Sequence, residues 1–156
     1  MSSRGFTKIE ILIVAILIVL VLAADFFVIS YLNSKQQDVQ VMSEISRLRS
    51  GLEAYLLKNN YYPVSLEPLV LNSELNSSEK LCVEGFEKFS FQCAQEILNP
   101  VPNLYLTKGN SYIYKSTDNN KNYQLEFTLL SDFPAQNLKK GKNCATNSQI
   151  ISQPCF

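Results

Sequence analysis

The chain of 156 residues carries 14 basic and 14 acidic side chains, no His and no Trp. Zero formal charge, without a basic cluster long enough to track phosphates, argues against nucleic-acid binding; Lys139, Lys140 and Lys142 read as a solvated loop. The absence of His removes the commonest general base and metal ligand, together with Ser-His-Asp and Cys-His nucleophile arrangements. No G-x-G-x-x-G, G-x-x-x-x-G-K-[ST] or H-E-x-x-H occurs, and Asp118 and Asp132 are too few and too scattered for calcium. The chain reads as a non-enzyme with no catalytic residue, no cofactor and no metal site.

Near the N-terminus, from Ile11 to Ala24, no polar residue occurs. Arg4 and Lys8 precede this run, and Glu10 stands at its head. A cleaved secretory signal is one reading, with Val21-Leu22-Ala23 as its cleavage site. A transmembrane anchor is a second. Ile11–Ala24 alone rises roughly 21 Å, so the span needs Phe26–Leu32 beyond Asp25 to reach about 20 residues. The preceding basic residues then place the N-terminus in the cytoplasm and the head outside.

No Pro or Gly occurs between Phe6 and Ser50. Val39, Met42, Ile45, Leu48, Leu52, Tyr55 and Leu56 recur at steps of three and four, one face of an amphipathic helix. Gln37, Glu44, Arg47 and Lys58 occupy the other face. The two parts predict one helix from about Phe6 to Lys58, roughly 80 Å long, stopped by Asn59-Asn60 and Pro63. Ser65 is then placed to cap a brief helix through Leu69, with Pro68 in its first turn. Residues 72–80 read as a polar loop, and Leu104-Tyr105-Leu106 as a short strand.

Ser111–Lys115 and Tyr123–Leu129 alternate as strands, with Tyr123, Leu125, Phe127 and Leu129 on one face. Thr117–Asn122 supplies the turn of an antiparallel hairpin. Residues 131–156 are rich in Asn, Gln, Lys and Ser and read as an irregular, disulfide-tied segment. The four cysteines, Cys82, Cys93, Cys144 and Cys155, form no C-x-x-C, and an even count fits disulfides in an oxidising compartment. Three pairings exist; proximity favours Cys82–Cys93 with Cys144–Cys155, against free buried thiols.

The stretch Gly5-Phe6-Thr7-Lys8-Ile9-Glu10, continuing into Ile11-Leu12-Ile13-Val14, closely resembles the class III signal of type IV prepilins and pseudopilins. Asn60-Tyr61-Tyr62-Pro63, with Leu66 and Leu69, is similar to the Tyr-Pro-x-x-Leu stretch of pilins and type II secretion pseudopilins. The likeness covers the order of elements to about residue 130. It implies the α+β pilin fold: a long N-terminal helix (about 6–58, first half transmembrane) packed on a small antiparallel β-sheet head with a disulfide-tied C-terminal segment.

The resemblance also implies three regions. Residues 1–5 are a leader, cut after Gly5 by a prepilin peptidase that methylates the new N-terminal Phe6. Residues 6–33 are the transmembrane and filament-core helix, and residues 34–156 are the head. Glu10, fifth of the mature chain, is expected to meet the Phe6 amine of a neighbouring copy. The implied partners are further copies of the chain in a helical homopolymer, other pilins, the peptidase, an inner-membrane assembly platform, and the membrane before assembly. The implied location is a single-pass cytoplasmic-membrane protein with its head outside, then an external or envelope-spanning filament.

Physical chemistry favours the same role for Glu10. A charge in an apolar medium is costly unless paired, and cutting at Gly5 creates its partner at Phe6. Departures from the family pattern are Lys8, where many members are apolar, Phe27, where many carry Pro, and the lack of an earlier Gly. Asp25 is also unusual and reads either as a boundary residue or as one half of a pair between copies. Three functions fit these features: a pilus subunit; a pseudopilin of a secretion or DNA-uptake apparatus; or a signal-anchored binding module using Tyr112, Tyr114, Tyr123 and Phe127 as a ligand face.

Overall fold

A computed structural model of the chain describes residues 8–71, 79–88, 90–102 and 111–156. The chain divides into two units, Met1–Gln36 and Gln37–Phe156. The helix α1 (Lys8–Asn59) supplies residues to both. It ends where Asn60 turns to φ 62° and donates its N–H to Leu56 O at 2.7 Å, a left-handed stop that Asn tolerates. The leader, with Gly5 and Phe6, lies outside the described residues, as do the side chains of Lys8 and Glu10. The same holds for residues 104–106 and nearly all of 72–80.

In the first unit, residues 8–36 are helical. Among the described residues no helix is long and apolar enough to cross a membrane. This overturns the expected transmembrane half of the helix, and with it the single-pass localisation. The physical reason is length: Asp25 ends the uninterrupted apolar run after roughly 21 Å, short of the roughly 30 Å of a hydrocarbon core.

The second unit is dominated by antiparallel sheet, which corrects the expectation of one small sheet. Its strands are β1 (Leu69–Leu71), β2 (Lys80–Cys82), β3 (Gly85–Glu87), β4 (Glu96–Leu98), β5 (Tyr112–Thr117), β6 (Asn122–Leu129), β7 (Gly141–Thr146) and β8 (Ile150–Ile151). They form a five-stranded sheet, β1-β5-β6-β7-β8, and a three-stranded sheet, β3-β2-β4. The β5–β6 hairpin matches the alternation in the sequence, and Asp118, Asn119 and Asn120 in its turn all take positive φ, which Asn and Asp accept better than other side chains.

Two further elements differ from expectation. Ser65–Pro68 is not helical, and Leu69 opens β1; Pro68 steers Glu67 away from the α region. The tail, expected to be irregular, supplies β7 and β8. β7 pairs along β6 from Gly141↔Leu129 to Thr146↔Gln124.

The core forms where residues 37–59 of α1 meet the sheets. Val41, Ile45, Leu48, Leu52 and Tyr55 are buried, facing Tyr62, Tyr112, Tyr114, Tyr123, Leu125, Phe127 and Leu129. The helix face is the one the sequence suggested, since Ile45, Leu48, Leu52 and Tyr55 are buried and Met42 and Leu56 pack against them, except at its start: Val39 is 56% exposed and Val41 is 1% exposed. A step of 100° per residue puts Val39 about 120° away from Ile45. The three-stranded sheet adds Leu81 and Leu98, and Leu98 Cδ2 lies 3.1 Å from where a Cβ on Gly51 would stand. Gly51 thus sets how near β4 comes to the helix.

Leu48→Ala removes a fully buried side chain from the centre of this contact. It should lower the unfolding free energy by about 2–5 kcal/mol, read as a lower urea midpoint at unchanged slope.

Candidate assembly surface

Of the residues assigned to assembly, Phe6 is outside the described residues, and Glu10 is placed only by its backbone in the first turn of α1. In the helical turns beyond Glu10, Leu12, Ile13, Val14, Ile16, Leu17, Ile18, Val19, Leu20, Val21 and Leu22 are all exposed, from 50% at Val14 to 64% at Val19. Consecutive residues 100° apart point in every direction, so this segment is apolar all round rather than on one stripe. Phe26, Val28, Ile29, Tyr31 and Leu32 continue it, also exposed. Each such Val, Leu or Ile gains about 1.5–3 kcal/mol on full burial, so the segment has a strong drive to be covered.

Polar groups here are few. Asp25 is exposed among Val21, Leu22, Val28 and Ile29. The Lys35 ammonium lies over the Tyr31 ring, 5.7 Å from its centre.

The head presents a different kind of surface. The aromatic residues offered as a ligand face, Tyr112, Tyr114, Tyr123 and Phe127, are at most 2% exposed, so they form the core and not a ligand face. Their hydroxyls are spent inside: Tyr112 donates to Glu44 Oε2 at 2.6 Å, and Tyr114 to Pro63 O at 2.7 Å. Tyr62 donates to Glu53 Oε1 at 2.8 Å, and Arg49 Nε donates to Tyr123 Oη at 3.4 Å. Burial pushes the phenols of Tyr62, Tyr112, Tyr114 and Tyr123 above their ordinary value, and pushes Tyr55 up to about 12 with help from Tyr61. Beside Arg49, an open groove of about 490 Å³ lined by Ser46, Ser50, Glu53 and Asn147 runs along the outer side of the helix.

The cysteines pair as Cys82–Cys93 and Cys144–Cys155, the proximity pairing. Cys82, Glu84 and Cys93 are the one grouping of three metal-donor residue types among the described residues. Its two sulfurs are bonded to each other and offer no thiolate.

Two anchoring carboxylates gave no sign in the sequence. Asp38, fully buried, accepts the Leu130 N–H at 2.7 Å, the Ser131 N–H at 2.8 Å and the Ser131 hydroxyl. Glu126, on the sheet face that also carries Cys144, is 3% exposed; it pairs with Lys142 Nζ at 2.7 Å and accepts the Cys155 N–H at 3.1 Å. An acid beside an apolar stripe and an acid within a strand leave no mark on periodicity.

No family model, no curated protein and no solved structure matches the chain.

Replacing Cys144 and Cys155 together by Ser should cost about 3 kcal/mol, measured by urea unfolding. The raised tyrosine pKa values give a sign in pH. In the unfolded chain phenols lose their protons near pH 10, while in the fold they hold them. Stability is therefore fully present below pH 10 and falls as pH rises from 10 toward 12. Phenolate absorbance should accordingly appear together with unfolding.

Proposed function

We propose that the chain is a structural, non-catalytic subunit of a type IV pilus-like filament, built by packing of the apolar part of α1 between copies. The observation that carries this reading is the run of exposed apolar residues described between Ile9 and Leu32, headed by Gly5-Phe6-Thr7-Lys8-Ile9-Glu10. A helix that is apolar all round needs neighbours on all sides, and several copies of the same helix supply them. Contacts of this head-to-tail kind do not close on themselves and generate a helical polymer.

Glu10 supplies the register in this proposal. Removal of residues 1–5 by a prepilin peptidase frees an ammonium at Phe6. In the dry interior of a helix bundle the Glu10 carboxylate of one copy and the Phe6 ammonium of the next attract strongly, and each without the other would be a costly buried charge. The two disulfides cross-link the head.

A second reading, a pseudopilin of a secretion or DNA-uptake apparatus, is favoured by Asn60-Tyr61-Tyr62-Pro63. It shares the same assembly chemistry and differs in filament length.

The test is mass spectrometry of the N-terminal peptide together with electron microscopy of filaments containing the chain. The expected result is a mature chain beginning at methylated Phe6, in filaments. A mature chain beginning at Ala24 or Asp25, or one that stays monomeric, would overturn the proposal. Glu10→Ala should reduce incorporation into filaments on the order of tenfold or more, the effect of stranding one charge of a buried pair. Long fibres favour the pilus subunit; short ones favour the pseudopilin.

A further inference from the structure

Asp25 is the one charged residue between Ile11 and Asn33. It is exposed, and its neighbours one turn away in either direction, Val21, Leu22, Val28 and Ile29, are exposed and apolar. Among the described residues it makes no ion pair. If this surface is covered by other helices, as the filament reading requires, the Asp25 carboxylate is taken from water with them. A carboxylate so buried needs a cation or several hydrogen-bond donors.

The helix itself cannot supply that cation. Lys35, the next basic residue along the chain, stands about 15 Å farther along the axis and about 80° around it. Lys8 lies about 25 Å in the other direction. The Lys35 ammonium leans over Tyr31, one turn back towards the N-terminus, the direction in which helical side chains lean. Its charge is therefore held at the margin of the apolar surface, at the level of Tyr31.

We propose that Asp25 of one copy pairs with Lys35 of a second, parallel copy displaced along the helix axis by about 9–15 Å, the rise from Asp25 to Tyr31 or to Lys35. The partner is a second copy of this chain, chosen by charge complementarity. Each copy carries one acid inside the apolar surface and one cation at its edge, so every copy donates and accepts the same contact and the arrangement repeats without closing. This inference rests on the filament reading and adds to it a second, separate fixed point of axial offset, remote from Glu10. Apolar packing alone is tolerant of sliding, whereas a buried ion pair fixes one register.

The experiment uses two full-length copies expressed together, one carrying Asp25→Cys and the other Lys35→Cys, with all native cysteines retained in their disulfides. Filaments are isolated, oxidised and run on non-reducing gels. The expected result is a covalent dimer in the mixture that neither single variant gives alone. In parallel, Asp25→Lys should lose assembly, and Asp25→Lys with Lys35→Asp in the same chain should regain it. If filaments form and the mixture gives no more dimer than the single variants, the pair is wrong while the filament reading stands. If the unsubstituted chain forms no filaments, that reading fails and the pair falls with it. If the Cys variants do not assemble, the exchange of charges decides: rescue supports the pair, and no rescue overturns it.

Discussion

Four of the buried tyrosine hydroxyls, each of which must find a partner away from water, set the geometry of the head. A phenol left unpaired in a core loses on the order of 1–3 kcal/mol. Here the partners come from definite positions: Glu44 for Tyr112, Glu53 for Tyr62, Arg49 for Tyr123 and the Pro63 carbonyl for Tyr114. Three of these four partners lie on α1. A rotation of the helix by one residue would separate all three contacts at once, whereas its aliphatic face would find new packing. Dispersion and burial bring helix and sheet together; the hydroxyls select the one rotation in which they meet. The rings add their own constraint, with Tyr62 and Tyr123 edge to face at 4.9 Å and Phe86 against Tyr114 at 5.1 Å. These link the segment just after α1, the hairpin and the three-stranded sheet.

The ends of the sheet are held by charge instead. Asp38 gathers the N–H groups of Leu130 and Ser131 just past β6, donors that the end of a strand leaves without ladder partners. Glu126 holds the backbone of Cys155 while Lys142 neutralises it. The Cys144–Cys155 bond and this carboxylate therefore fasten the same tail to the same face of β6 and β7. The Cys82–Cys93 bond does the corresponding work for the loop leading into β4. A head of this size has a small core, and these cross-links restrict what its polar loops can do when it unfolds.

How much of this could be read from the residues depends on the kind of signal. The hairpin was legible because Tyr123, Leu125, Phe127 and Leu129 alternate without interruption and the turn is Asp and Asn. The amphipathic stripe was legible from Met42 to Leu56 and wrong only at its start, because Val39 and Val41 are equal candidates by hydrophobicity. β7 was not legible: its inward residues are Asn143 and Ala145, one polar and one small, and both are fully buried. No alternation of hydrophobic and polar residues can announce such a strand; its position comes from pairing with β6. The cysteine pairing was legible by proximity. The processing and assembly roles proposed for Gly5, Phe6 and Glu10 rest on the motif alone, and the exposure of the apolar run beyond them comes from the structure.

The two parts of the chain solve opposite problems. The head largely satisfies itself: Tyr62, Tyr112, Tyr114 and Tyr123 are inside with their hydroxyls paired, and Asp38 and Glu126 are anchored to backbone. The segment before it does not. Its described residues between Ile9 and Leu32 carry large apolar side chains outward, more than a stable isolated surface supports, and among the described residues no helix is long and apolar enough to cross a membrane. Whatever covers it must also accommodate Asp25, and this second requirement is the more selective one. Any apolar surface can cover Val and Leu, but a cover that also brings a cation to one fixed level must have that cation at a matching place. Another copy of the same helix, with Lys35 held back over Tyr31, meets both conditions with no further component. In the proposed filament, the requirement that makes Asp25 awkward in a single copy becomes a source of order between copies.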